Sequence, residues 1–273
     1  FNGIIDGASD HKQNVTVFTL ENWSDAKAQL ERAFDGRIDG VILIAPLVTS
    51  AFASGLDPNI PCVSLHANAQ VEGLINIESD EEKGAYDMVR HLLDKGHRRI
   101  MHVSGPRGLI GVERRIQGYH AALKSADVEP ADGLLLSTDY SDHGGRKVMR
   151  KWLEERGVSE LPHAIFCAND SIALGCMEAL AEAGLRVPDD ISVCGFDDTA
   201  IASTIWPELT TIRQPIAEMS RKAVEILARE TRTIRSGKSP KPTEVTLDYQ
   251  LVRRQSDAAP GLARTAMRKP KDA

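Results

Sequence analysis

The stretch His163–Gly184, HAIFCANDSIALGCMEALAEAG, decides the fold. It opens on a continuous apolar run, His163–Ala168, that reads as a strand buried on both faces. The polar pair Asn169–Asp170 follows. Ser171–Gly184 then sets Leu174, Met177, Leu180 and Ala181 on one helical face, with Gly184 as the expected stop. A buried strand that feeds a helix through so short a turn is half of a βαβ crossover, and it predicts a parallel sheet.

The same alternation extends in both directions. Val41–Pro46, Cys62–His66, Leu74–Glu78, Arg99–Ser104, Leu134–Ser137 and Ile191–Phe196 read as strands. Asp80–Lys95, Glu113–Ala126, Asp142–Gly157 and Pro215–Thr231 read as helices. Val15–Leu20 alternates like a strand before a helix over Glu21–Asp35, and Val245–Val252 reads as one late strand. About ten strands is many for one compact sheet, so the pattern predicts an α/β chain of two doubly wound parallel-sheet lobes. Ser256–Ala273 lacks periodicity and reads as a disordered tail.

Composition narrows the function classes. The 273 residues carry 33 Lys and Arg against 39 Asp and Glu, a net charge of −6, which argues against a broad nucleic-acid-wrapping face. No apolar run approaches the roughly 18 residues of a membrane span. Cys62, Cys167, Cys176 and Cys194 show no C-x-x-C spacing and read as small buried hydrophobes of a reducing compartment. Gly105-Pro106-Arg107-Gly108 matches neither phosphate-binding fingerprint, and Pro106 removes an amide donor. Neither a metal nor a cofactor is expected. The chain also lacks the motifs of zinc and serine hydrolases, and adjacent Asp197 and Asp198 point apart, so no enzyme is expected.

Ligands of open parallel sheets bind at the carboxyl ends of strands. The polar residues there are His66, Arg115, Tyr140, Asn169, Asp170, Asp197 and Asp198. This mixture of carboxylate, amide, guanidinium and aromatic groups suits a neutral polyhydroxylated ligand. Asp170 is expected to cap the helix that follows, leaving Asn169 for the ligand. Asp197 is expected to face the ligand, and Asp198 to cap a short helix. Arg114 and Arg115 lie on different helical faces, so at most one points inward.

These residues sit within segments that resemble the effector-binding and dimerisation core of the lactose/galactose-repressor (LacI/GalR) family of bacterial transcription regulators. The segments are Arg37-Ile-Asp-Gly-Val-Ile-Leu, Asp80-x-x-x-Gly84-Ala with Leu93-x-x-Lys95-Gly96-His97-Arg-Arg-Ile, and Arg115-x-x-Gly118-Tyr119-x-x-Ala122-Leu. Phe166-Cys-Ala-Asn169-Asp170-x-x-Ala173-Leu-Gly175, Val187-Pro-Asp-Asp-Ile-Ser-Val-Cys-Gly-Phe-Asp197-Asp198 and Leu209-Thr-Thr-Ile-Arg213-Gln-Pro-x-x-Glu218-Met complete the set. The resemblance covers Phe1 to about Gln255.

The resemblance implies two periplasmic-binding-protein-like lobes, residues 1–79 plus 215–242 and residues 80–214 plus 243–255. Three crossovers fall near Ser79–Asp80, Arg213–Pro215 and Lys241–Pro242. It implies a small sugar-like effector held between the lobes by Phe1, His66, Arg115, Tyr140, Asn169 and Asp197, and allosteric control of operator binding by a homodimer in the cytoplasm. His66 falls where some sugar-binding members carry Asp, so the effector's identity does not transfer. The family's helix-turn-helix and first strand have no counterpart here, so operator contact is expected only through that missing head. A periplasmic sugar-binding protein of a transporter is the alternative.

Overall fold

The computed structural model describes residues 1–19, 28, 36, 38–47, 52, 56–57, 59–68, 74–238 and 244–260. Apart from Ala28, the predicted helix Glu21–Asp35 lies outside the described residues, as do Lys241 and Pro242 of the third predicted crossover; the chain changes unit further on, at Asp248–Tyr249. The chain divides into two compact units, Phe1–Asp80 with Pro215–Asp248, and Glu81–Gln214 with the segment from Tyr249 onward.

The first unit contains α1 (Asn2–Asp10), β1 (Val41–Ile44), β2 (Cys62–Leu65), β3 (Leu74–Ser79), α7 (Ile216–Arg235) and β9 (Val245–Leu247). Its sheet is parallel in the order β1-β2-β3-β9. Met219, Ala223 and Ile226 of α7 pack on Val63, Leu65, Ile75 and Ile77. A separate cluster joins Leu43, Phe52, Cys62, Ala67 and Leu74. The alternation of Val15–Leu20 does not produce a strand over the described residues 15–19, where Val15, Val17 and Phe18 are exposed. Alternation makes a strand only when a neighbour takes its backbone hydrogen bonds, and no described strand pairs with this segment.

The second unit contains α2 (Glu81–Asp94), β4 (Ile100–Ser104), α3 (Ile110–Ser125), β5 (Leu135–Ser137), α4 (Asp142–Arg156), β6 (Ala164–Cys167), α5 (Asp170–Glu182), β7 (Ser192–Cys194), α6 (Ala200–Thr204), β8 (Thr211–Arg213) and β10 (Gln250–Val252). Its main sheet is parallel, ordered β5-β4-β6-β7. β4, β6 and β7 are buried along their whole length because helices cover both faces of the sheet. Met101, Val103, Ile165 and Cys167 pack with α4 and α5, while Ile100, Ala164 and Phe166 pack with α2 and α3. The α4–α5 pair crosses closely: a methyl at Gly175 would sit 1.9 Å from the Asp142 carbonyl oxygen.

Two expectations need correction. The single late strand Val245–Val252 is two strands, β9 in the first unit and β10 pairing antiparallel with β8 in the second. The disordered tail does not begin at Ser256. Ser256 and Asp257 are buried, and Ser256 Oγ donates to the Val193 carbonyl at 2.5 Å and accepts from Thr210 N at 2.9 Å. Asp257 accepts from His91 Nε2 at 2.8 Å, from Lys95 Nζ and from Thr210 Oγ1. Despite the burial that opposes its charge, the His91, Lys95 and Thr210 donors hold the Asp257 carboxyl well below the usual range. A polar, aperiodic sequence is thus fixed by specific partners, which periodicity does not register.

Candidate functional site

In the second unit β4 and β6 are neighbours although β5 lies between them in sequence, so the sheet's winding reverses there. The loops leaving the two strands diverge at that point and open a place for side chains to converge. Gly105 follows β4 and Ala168–Asn169 follows β6.

Arg115, in the second turn of α3, is the hub. Its Nη1 donates to the Ala168 carbonyl oxygen, and its Nη2 donates to Glu81 Oε1 at 2.6 Å and lies 3.9 Å from Asp197 Oδ1. The guanidinium carbon stands 4.1 Å from the centre of the Phe196 ring, a cation–π contact. Nε has no hydrogen-bond partner among the described residues. Burial disfavours the charge, but Glu81, Asp197 and Tyr140 outweigh it and keep the guanidinium pKa above its usual value. Arg114 is less buried than Arg115, as the helical spacing requires.

Tyr140 follows β5. Its ring packs on Gly105, where a methyl group would lie 2.5 Å from the ring, so this approach needs glycine. Tyr140 as a whole remains 37% exposed, and burial of the hydroxyl raises its pKa. The Tyr140 carbonyl accepts from Asn169 Nδ2 at 3.1 Å. Asn169 Oδ1 accepts from Ile172 N at 2.8 Å, which makes Asn169 the N-cap of α5.

The expected division of roles between Asn169 and Asp170 is therefore revised. Asp170 is fully buried and accepts from Thr211 Oγ1 at 2.6 Å, Thr199 N at 2.6 Å and Thr199 Oγ1 at 3.0 Å. Burial pushes its pKa up to about 6, against the pull of those donors. It ties the end of β6 to the loop after β7 and to β8.

Asp197 and Asp198 diverge. Asp198 accepts from Arg213 Nε at 2.5 Å and Arg254 Nη2 at 2.7 Å and is nearly inaccessible, so it locks the loop and caps no helix. Thr199 occupies the cap position of α6. Asp197, with φ +104°, turns the other way, accepts from Gln214 Nε2 at 2.6 Å and keeps 29% of its side chain exposed.

Arg115, Tyr140, Asn169 and Asp197 are thus brought together in the second unit. Phe1 and His66 belong to the first unit. Phe1 is exposed and precedes α1, and His66 follows β2 with φ +53°. Sequence reasoning passed over Glu81 and Gln214. Both border points where the chain changes unit, and a survey of strand-to-helix turns within one sheet skips those positions. Among the described residues no three His, Cys, Asp or Glu side chains gather as a metal site, and no helix is long and apolar enough to cross a membrane.

The sequence pattern of the periplasmic binding protein-like domain matches residues 89–256. The ribose operon repressor of Escherichia coli strain K12 is 34% identical over 201 residues, covering 72% of this chain and 60% of the repressor. The complex of the transcriptional regulator CelR with cellobiose is similar with a TM-score of 0.82 at 26% identity, over 93% of this chain and 78% of CelR. The lac repressor dimer bound to operator and the anti-inducer ONPF gives 0.80 at 28% identity, over 94% and 88%.

Proposed function

The chain belongs to the LacI family of transcriptional regulators, with a periplasmic-binding-protein-like fold, and on that footing we propose that it is the effector-binding and dimerisation core of a bacterial regulator whose effector is a small sugar or sugar derivative. The convergence of Arg115, Tyr140, Asn169 and Asp197 at the winding reversal carries this reading. The guanidinium and amide donate to hydroxyls, the carboxylate accepts from them, and the Tyr140 ring offers a face to the C–H side of a sugar. His66 and Phe1 are proposed as further effector contacts.

Operator binding is proposed for the whole protein, since this chain spans 60% of the ribose repressor's length. The lac repressor is a dimer on its operator, which supports a homodimer here. Effector would bias a two-state equilibrium with a coupling of about 1–3 kcal/mol. A regulator of DNA works in the cytoplasm, and similarity to repressors favours this reading over a transporter's binding protein. The site is proposed to bind rather than to catalyse. Glycoside cleavage needs a carboxylic acid and a carboxylate both free to act on the substrate, whereas Glu81 is buried and paired with Arg115 and Asp198 is locked between Arg213 and Arg254.

Calorimetry with a panel of pentoses, hexoses and disaccharides tests the assignment. Asp197→Ala is expected to weaken the best binder at least about tenfold, because it deletes a partly buried acceptor. His66→Ala is expected to weaken it less. Unchanged affinity in Asp197→Ala would reject the site.

A further inference from the structure

The effector reading leaves open whether the ligand is charged. An arginine in a polar site ordinarily reads as an anchor for a carboxylate or phosphate. Here the anion is already built in. Glu81 and Arg115 are both buried, and Glu81 Oε1 accepts from Arg115 Nη2 at 2.6 Å. Nη1 is committed to the Ala168 carbonyl oxygen, so both terminal nitrogens already donate. Asp197 adds a second carboxylate 3.9 Å from the guanidinium. Tyr140 stays a neutral phenol, and Arg213 and Arg254 are balanced by Asp198 together with Glu208, which lies 4.0 Å from Arg254. The cluster Arg115, Glu81 and Asp197 therefore carries one positive and two negative charges.

We propose that Glu81 is a specificity-determining residue: by occupying Arg115 it makes the site accept uncharged polyols and reject carboxylate and phosphate forms of the same sugar. This rests on the effector reading given above. A neutral hydroxyl can take the remaining N–H donors of Arg115 and give its own proton to Asp197. An anionic group at the same place meets two carboxylates for one cation. In so poorly solvated a site that repulsion corresponds to at least about tenfold in affinity.

The test compares matched ligands that differ in charge and little else: glucose with glucuronate and glucuronamide, and galactose with galacturonate and galacturonamide. Ribose is paired with ribose 5-phosphate, and other neutral pentoses, hexoses and disaccharides complete the panel. The wild-type chain is expected to bind a neutral sugar and its uronamide within a few-fold of each other, and the acid at least about tenfold more weakly. Glu81→Gln is expected to close that gap by gaining affinity for the acid, and Glu81→Asp to keep it. Equal binding of acid and amide by the wild type overturns the proposal without any variant. So does a folded Glu81→Gln protein that still discriminates as the wild type does. If no member of the panel, charged or neutral, binds the wild type, the effector reading fails and this inference goes with it.

Discussion

Replacing Arg115 tests how the site is built before any ligand enters. The Arg115 and Glu81 side chains are each 7% exposed, and their ion pair spans 2.6 Å. Arg115→Met keeps most of the stem that packs beside Phe196 but strands the Glu81 carboxylate in a place water reaches poorly. Removing one member of a buried ion pair costs about 3–5 kcal/mol, because the surviving charge has lost its partner and has not regained water. Against a total stability of about 5–15 kcal/mol, that is a large fraction. The double variant Arg115→Met with Glu81→Gln leaves no orphaned charge, so its cost should fall short of the sum of the singles by about 1–3 kcal/mol. Urea denaturation followed by far-ultraviolet circular dichroism measures all four proteins. A cost below about 1 kcal/mol for Arg115→Met, or single costs that add to within about 0.5 kcal/mol, would show that Glu81 does not depend on Arg115.

Two buried groups give opposite pH signatures. Asp170 has its folded pKa raised to about 6, so its contribution is fully present below the unfolded value near 4 and is lost as pH rises through 6; wild-type stability relative to Asp170→Asn should fall by about 2–3 kcal/mol between pH 4 and 6. His102, stacked on Phe166 and pushed by burial down to about 4, contributes stability above its unfolded pKa near 6.5 that is lost as pH falls through 4. His102→Phe should flatten that acid decline, while costing about 1 kcal/mol at pH 7 through the lost Nδ1 hydrogen bond to the Phe166 carbonyl. Equal pH slopes in the wild type and either variant would exclude the corresponding assignment. Gly105→Ala should displace the Tyr140 ring, weaken sugar binding and leave circular dichroism unchanged; unaltered binding would show that the ring's position does not matter.

Most of the second unit was legible in the sequence, because continuous apolar strands and a 3.6-residue period are local properties. What escaped was fixed by partners distant in the chain. The strand Thr211–Arg213 is short and takes its identity from pairing with Gln250–Val252. The break in Val245–Val252 depends on which unit receives each half. Ser256 and Asp257 look like tail residues until Val193, His91 and Lys95 are beside them. Within the site, Arg115, Tyr140, Asn169 and Asp197 followed from the rule that ligands gather at strand ends. Glu81 did not, since helix-opening acids are common and only the buried Arg115 gives this one its meaning.

The exchanged roles of Asn169 and Asp170 have the same origin as the divergence of Asp197 and Asp198. Where a strand ends, neighbouring residues point to different sides, so a polar doublet delivers one side chain to the front of the sheet's end and one behind it. Either residue of each doublet is chemically able to serve in either place. The supporting shell decides: Thr199 and Thr211 wait behind β6 with hydroxyl and amide donors that suit a carboxylate, and Arg213 and Arg254 wait behind the following loop with two charges. Asp170 and Asp198 satisfy those donors, which leaves Asn169 and Asp197 at the front. The rear members hold the loops in register and the front members are held at fixed positions, Asn169 by its cap to Ile172 and Asp197 by Gln214. Preorganisation of this kind lowers the ordering cost of binding a small, flexible polyol, whose few hydroxyls cannot themselves pay to assemble the site.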